Sequence, residues 1–382
     1  MGRKALFFPV CCPLQFQFIG ENDGTFDDSD YILFYAEGVD TWNSESLTSV
    51  NLFSDKSYYY VTSGNGNGKR IQEALQPIGA ANLTFTQYDD VKVYEKDLVN
   101  VAKLGRRWFG EQFNIDDSQT FDMAFSNIVT SVPVEVKINL ASKSPNPTSF
   151  SISANGQSLG VVNFDPIPNG ATFEAFENVL NSNFSVSSGN INFQLNYDNG
   201  GVPFSNGYLD FIRVKAKCSL QGNGQQFFFF NDEQATNIGT GEYVITNAAS
   251  ISQVWDVTDI YNTVMFTNTV GANFSFKVNL GQEKKYLIVD NTNFFTPLKE
   301  TNSVVLNQNL KGTIFLNNSG VFEDIEYLII TPNFLKNQAE NLANFHRQYS
   351  GMSVRVVTLE SIYQEFSSGK QDVAAIRNFV RY

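Results

Sequence analysis

The sequence predicts a mainly β protein, with jelly-roll-like β-sandwich domains followed by the first βαβα unit of an α/β domain. Two observations support this fold class. The 382 residues include 35 Phe and 16 Tyr against 11 Pro, and aromatic residues favour pleated, half-buried sheets. Short apolar runs separated by turn signals fill most of the chain, and the periodicity changes only at residues 326–382.

The alternation of apolar and polar residues is clearest between about residues 120 and 220. One strand is predicted from alternating apolar residues, namely Val132, Val134, Val136, Ile138 and Leu140. Asn155-Gly156 between two apolar runs is a strong β-hairpin signal. A helical pattern interrupts the strands near 172–180. In the strand predicted at 208–220, Cys218 shares a face with apolar residues, so we expect a buried thiol that packs as a small hydrophobe.

From residue 326 the pattern becomes that of an α/β unit. The apolar run at 326–331 predicts a strand covered on both faces. A helix should follow, with one stripe formed by Leu335, Ala339, Leu342, His346 and Tyr349. Gly351 should end that helix, 354–358 should form a second buried strand, and Asp372 should cap a last helix after a short helical pattern. Such a βαβα order predicts two parallel strands.

These changes of pattern divide the chain into four regions. They are an incomplete N-terminal β region (1–110), a jelly-roll-like β sandwich (111–220), a second β-sandwich region (221–325) and the α/β unit (326–382). Pro9 and Pro13 interrupt the short apolar stretch near the N-terminus, so no signal peptide is recognised there. We expect a chain that begins and ends partway into a domain.

Composition excludes several classes of function. The formal net charge of −13 repels phosphate backbones, so nucleic-acid binding is not expected. One histidine and three cysteines cannot build a multi-His zinc site or a Cys-rich cluster. His346 lies about 335 residues from Cys11 and Cys12 and is interpreted as a packed or surface helical residue. No region gathers an acid, a base and a nucleophile.

Three loop segments carry polar or glycine-rich patterns. Asp23, Asp27, Asp28 and Asp30 form an acidic loop for which a weak calcium site is one interpretation and a solvated turn the other. The EF-hand spacing fails there, since it would place Ile19 at the first ligand position. The glycine-rich stretch at 63–69 fits no phosphate-binding spacing and is predicted to be a flexible loop. The basic island of Lys103, Arg106 and Arg107 is interpreted as a solvated edge.

The C-terminal sequence resembles the opening of a gingipain-type cysteine peptidase domain. The segments that carry this resemblance are EYLIIT at 326–331, SGMSVRVVT at 350–358, ESIYQEF at 360–366 and DVAAIRNF at 372–379. Upstream motifs are similar to one branch of that family, the PorU sortases of the Bacteroidota type IX secretion system. They are DGTFDDSD at 23–30 with Phe34-Tyr35, RWFGE at 107–111, LDFI at 209–212 and VWDVTD at 254–259.

The resemblance implies a caspase-like α/β fold for the last region and a His–Cys dyad on loops after later strands. We expect those strands beyond Tyr382, so no catalytic residue is assigned and this segment alone is predicted to be inactive. The resemblance further implies a sortase at the cell surface that removes the C-terminal signal of secreted cargo proteins. Its expected partners are the cargo, an outer-membrane barrel of the PorV type and anionic lipopolysaccharide. No cofactor is implied.

A hypothesis of a different class is a non-enzymatic surface module whose β sandwiches bind a glycan or a protein partner. The abundance of aromatic residues and the lack of a catalytic cluster favour it. A third possibility is that the sandwiches are structural spacers. A His and a Cys that each follow a buried strand downstream would favour the peptidase.

Overall fold

The computed structural model describes the backbone of residues 6–8 and, in full, residues 14–44, 47–62, 67–301, 304–305 and 308–382. As predicted, the described chain is mainly β. It forms two β sandwiches, two-stranded sheets near the N-terminus and a small α/β unit at the C-terminal end.

The N-terminal third contributes strands to several sheets. Its strands are β1 (Leu6–Phe8), β2 (Phe16–Ile19), β3 (Tyr31–Phe34), β4 (Tyr60–Thr62), β5 (Gln72–Glu73), β6 (Leu83–Phe85) and β7 (Gln87–Glu95). β1 pairs antiparallel with β4, and β2 pairs antiparallel with β3. β5 and β6 add parallel strands to the second sandwich, whereas β7 joins the first. The predicted boundary at residue 110 therefore separates strands that the structure pairs.

The first sandwich consists of two antiparallel sheets. Its strands are β8 (Gln112–Phe113), β9 (Ser118–Ala124), β10 (Val134–Lys143), β11 (Thr148–Ala154), β12 (Gln157–Phe164), β13 (Phe176–Phe184), β14 (Asn190–Asp198) and β15 (Asn206–Ser219). The larger sheet has the order β13-β10-β15-β7, with β8 also paired to β15, and the smaller has the order β12-β11-β14-β9. The Asn155-Gly156 hairpin is confirmed, because both residues have positive φ (48° and 79°) between β11 and β12.

The helix predicted near 172–180 is wrong, since the second half of that segment begins β13. Its residues pair with β10 from Phe176 to Phe184. Leu180 packs against the core while Asn181 faces outward. Pairing with β10 along its length makes this segment a strand, although the local spacing of apolar residues is helical.

The second sandwich follows directly. Its elements are β16 (Phe228–Phe229), α1 (Asp232–Thr236), β17 (Thr240–Ile245), β18 (Ile251–Asp256), β19 (Val264–Thr267), β20 (Phe274–Asn279) and β21 (Tyr286–Asp290). One sheet has the order β16-β21-β18-β19-β5 and the other β20-β17-β6. A single continuous hydrophobic cluster contains fully buried rings from both sandwiches, among them Phe150, Phe193, Tyr243 and Tyr286. The two sandwiches therefore share one core.

The C-terminal unit has the predicted βαβα order. Its elements are α2 (Leu310–Thr313), β22 (Tyr327–Thr331), α3 (Lys336–Phe345) with a π turn at His346–Ser350, β23 (Val354–Thr358), α4 (Leu359–Phe366) and α5 (Val373–Arg381). β22 and β23 are parallel and in register. Gly351 ends the helix with φ of 67°, and Asp372 Oδ1 accepts the Ala374 N–H at 2.7 Å, so both predicted caps are confirmed.

The predicted apolar stripe of α3 is largely wrong. Ala339 and Ala343 are the buried residues of this helix. Leu342 and Tyr349 are 43% and 78% exposed, because a sheet of two strands covers only a narrow band of the helix. β22 itself is half-buried along most of its length rather than covered on both faces.

Candidate functional site

The carboxyl ends of β22 and β23 form the candidate site, because ligands of open α/β sheets bind outside the carboxyl ends of the strands. Thr358 caps α4 by accepting the Ser361 N–H at 3.3 Å. The Glu360 carboxylate accepts the Asn333 N–H at 3.1 Å. Glu360 therefore ties the loop after β22 to the helix after β23 and fixes the shape of this edge.

His346 lies away from that edge. Its ring packs edge-to-face on Tyr327 with centroids 5.0 Å apart, and Tyr327 is the first residue of β22. Nδ1 of His346 lies 3.4 Å from the Ser350 hydroxyl. The imidazole therefore stands beside the amino end of the strand, at the opposite end from the candidate site.

Cys218 is buried in the core of the first sandwich, as predicted. Burial, with a smaller contribution from the nearby Asp90 carboxylate, raises the pKa of its thiol to about 12. Since the thiolate is the nucleophilic form, this cysteine is chemically inert at neutral pH. The predictions for Cys11, Cys12 and residues 63–66 of the glycine-rich loop concern positions outside the described residues.

The acidic loop uses its carboxylates to close its own turns. Asp23 Oδ1 accepts the Thr25 N–H at 2.8 Å, and Asp30 Oδ2 accepts the Asp27 N–H at 3.1 Å. Asp27 Oδ1 accepts both the N–H and the hydroxyl of Ser29, which lowers the pKa of Asp27. Asp28 is exposed. Within the described part of the chain, no three His, Cys, Asp or Glu side chains are grouped to hold a metal ion. The calcium site stays a prediction.

Arg107 corrects the interpretation of the basic island as a solvated edge. Its guanidinium binds Asp210 (Nη2 to Oδ2, 2.8 Å) and Glu177 (Nε to Oε1, 3.0 Å). The Asp210 side chain is 2% exposed. Burial raises the pKa of Asp210 to about 6, although Arg107 opposes the shift. Lys103 and Arg106 are exposed, as expected.

The RWFGE and LDFI motifs thus pack against each other. Gly110 N donates to the Leu209 carbonyl at 2.7 Å, and Leu209 N donates to the Glu111 carbonyl at 3.0 Å. A Cβ on Gly110 would stand 3.1 Å from the Lys96 carbonyl oxygen and 3.3 Å from the Leu209 carbonyl oxygen, so a side chain would make tight contacts with two backbone carbonyls. These motifs fix a segment before β8 onto β15, which is a structural role that their separation in sequence concealed.

The sequence of the C-terminal unit matches a known peptidase family. Residues 321–382 match the model of peptidase family C25. The gingipain-type resemblance predicted from the sequence is therefore confirmed for this segment. No curated protein matches the chain. Within the described residues, no helix is long and apolar enough to cross a membrane.

Among solved structures, the chain is similar to dimeric latent PorU from Porphyromonas gingivalis, with a TM-score of 0.78 and 22% identity. The match covers 97% of this chain and 34% of the PorU chain. The fold is therefore PorU-like, and the chain spans about a third of the length of that relative.

Other solved structures with lower similarity to this chain include carbohydrate-binding modules. A family 36 module in complex with calcium and xylotriose has a TM-score of 0.22 and 17% identity, covering 34% of this chain and 99% of the module. A family 6 module of a laminarinase from Zobellia galactanivorans has a TM-score of 0.18 and 17% identity, covering 33% of this chain and 98% of the module.

Proposed function

We propose that this chain is the N-terminal part of a gingipain-like cysteine peptidase, and that the whole protein is a type IX secretion sortase. The enzyme would cleave the C-terminal signal from secreted cargo and attach the cargo to anionic lipopolysaccharide at the cell surface, beside an outer-membrane barrel of the PorV type. The observation that carries the proposal is the C25 match, which covers the parallel βαβα unit at the end of a PorU-like chain.

The sandwiches would position cargo or partner relative to the peptidase unit. One contact supports a fixed position of the peptidase unit beside the N-terminal strands. In the loop after α4, a Cβ on Gly369 would stand 2.2 Å from the Tyr60 hydroxyl of β4. The β1–β4 pair and the peptidase unit are therefore in close contact.

We further propose that residues 1–382 alone do not hydrolyse peptides. The candidate edge presents Thr358 and Glu360, whereas Cys218 is buried in another unit with a raised pKa. Purified chain of this length, incubated with a peptide library, should release no fragments above the level of buffer. Hydrolysis by the purified chain would contradict the proposal, and its loss in Cys218→Ser would identify Cys218 as the nucleophile.

The test of function uses the full gene product in the cells that encode it. Replacing the first cysteine that follows a buried strand downstream of Tyr382 by alanine should leave cargo unprocessed, with its C-terminal signal attached. Cys218→Ser is the matched control and should leave processing unchanged. Normal processing in the downstream variant would contradict the peptidase proposal and favour a module that only binds.

A further inference from the structure

Two cations on the outer face of the larger sheet of the first sandwich have no anionic partner. Lys137 on β10 and Arg213 on β15 stand directly opposite each other in the register. Side chains opposed in this way have Cβ atoms about 5 Å apart, and like charges there repel. Both side chains are half-buried. Within the described part of the chain, neither residue takes part in an ion pair or hydrogen bond through its side chain.

The carboxylates on the neighbouring strands make other contacts. Glu95 on β7 accepts the Ser49 N–H and hydroxyl at 2.6 and 2.7 Å, besides the Thr48 hydroxyl. Asp89 binds Lys217 at 2.9 Å. Glu135, which is exposed, stands opposite Lys215 in the register. Within the described residues, none of these three carboxylates forms an ion pair with Lys137 or Arg213.

The guanidinium of Arg213 makes a cation–π contact with Trp42. Its Cζ lies 5.7 Å from the Trp42 ring centroid, and Trp42 in turn packs on Phe211 with centroids 5.0 Å apart. Arg213 Nε is buried without an acceptor, which costs free energy unless a ligand group compensates. On the other side of Lys137, β13 places Asn181 in the same row. The row thus combines an ammonium, a guanidinium and a carboxamide.

We propose that Lys137 and Arg213 form a phosphate-binding site on the outer face of the first sandwich, next to Trp42. A phosphate group carries a charge of about −1.5 to −2 at pH 7, which is complementary to two cations that lack an ion-pair partner. The planar guanidinium and the ammonium are the donors that proteins use for phosphate oxygens. The ligand is free inorganic phosphate or a phosphate monoester of a larger molecule. The proposal does not depend on the peptidase function.

The test measures binding of inorganic phosphate, and of glycerol 3-phosphate, to the 382-residue chain by calorimetry at constant ionic strength. One site per chain is expected, with a change in Trp42 fluorescence that Trp42→Phe removes. Lys137→Gln and Arg213→Gln should each weaken binding at least tenfold. Lys143→Gln is the matched control, since Lys143 lies on the same strand but pairs with Glu174, and it should bind like the wild type.

Stability gives a second measurement. Without phosphate, Lys137→Gln should raise the melting temperature because repulsion with Arg213 is removed. With phosphate, the wild type should gain stability and Lys137→Gln should not. Binding of the monoester alone would identify the source as a larger molecule. Absence of binding for both ligands, or equal binding by Lys137→Gln and the wild type, would overturn the proposal.

Discussion

The two sandwiches and the C-terminal unit bury their apolar side chains to very different extents. The sandwiches share a core in which rings such as Phe150, Phe193 and Tyr243 have no solvent exposure. The core of the C-terminal unit is smaller and centres on Ile362 and Phe379, while Phe334 is 80% exposed. Two packed sheets cover each other's inner faces, whereas a pair of parallel strands leaves helix faces uncovered. Burial therefore predicts that stability is distributed unevenly along this chain.

The broadest expected effect is a difference in hydrogen exchange between the two regions. Amides of β22 and β23 should exchange at least about 100-fold faster than those of β10 and β15, since a local stability lower by about 2.8 kcal/mol corresponds to that ratio. Exchange measured by mass spectrometry on the 382-residue chain checks this. Slowest exchange within residues 326–382 would reverse the comparison.

Truncating one aromatic ring in each core tests whether the sandwiches and the C-terminal unit unfold independently. Phe150→Ala removes a side chain with no solvent exposure that contacts Phe113 and Tyr197, so we expect a loss of about 3–5 kcal/mol from the free energy of unfolding of the sandwiches. Phe379→Ala should instead accelerate exchange in α4 and α5 and leave the sandwiches unchanged. Urea denaturation followed by tryptophan fluorescence, together with exchange, checks both. Equal effects of Phe379→Ala on both regions would mean that they unfold as one unit.

Substitutions at helix caps compare the sandwiches with the C-terminal unit through smaller losses of stability. Asn231 Oδ1 accepts the Glu233 N–H at 2.9 Å, and its Nδ2 donates to the Gln87 carbonyl at 3.1 Å. Because this buried side chain joins α1 to β7, Asn231→Ala should cost about 2 kcal/mol. Asp372→Ala removes only the cap of α5 and should cost about 1 kcal/mol. Thermal unfolding measures both, with Asp372→Asn as the control that keeps the cap. A larger loss for Asp372→Ala would contradict the ranking.

The features that local sequence determines were predictable. The Asn155-Gly156 hairpin, the Asp372 cap and the buried face of β15 each follow from residues within one element. The Arg107–Asp210 pair joins residues 103 positions apart, and nothing local specifies it. One signal was present, since Asp210 interrupts the apolar residues Leu209 and Phe211 and a buried carboxylate needs a partner. The candidate site also depends on a contact between distant residues, because Glu360 binds the backbone of Asn333, 27 residues earlier.

The smallest expected effect concerns Asp97 in the loop after β7. It tests whether charge or packing determines the contribution of this residue to stability. Partial burial and the neighbouring Glu95 carboxylate raise the pKa of Asp97 to about 6, although Arg107 opposes the shift. The unfolded value is about 3.9. Between these values the folded chain binds more protons than the unfolded chain, so this carboxyl group contributes stability below about pH 4 that is lost as the pH rises to about 6.

Asp97→Asn removes this titration. The variant should be more stable than the wild type by about 1 kcal/mol at pH 7, a value reduced for solvent screening, and equally stable at pH 4. Asp259 supplies a control of opposite sign, because hydrogen bonds from Asn262 and Tyr261 lower its pKa. Asp259→Asn should therefore lose stability at pH 7 and none at low pH. Thermal unfolding of both variants from about pH 2 to pH 7 measures the two slopes, because the Asp259 carboxylate loses its contribution only below about pH 4. A slope for Asp97→Asn identical to that of the wild type would show that packing rather than charge determines stability at this position.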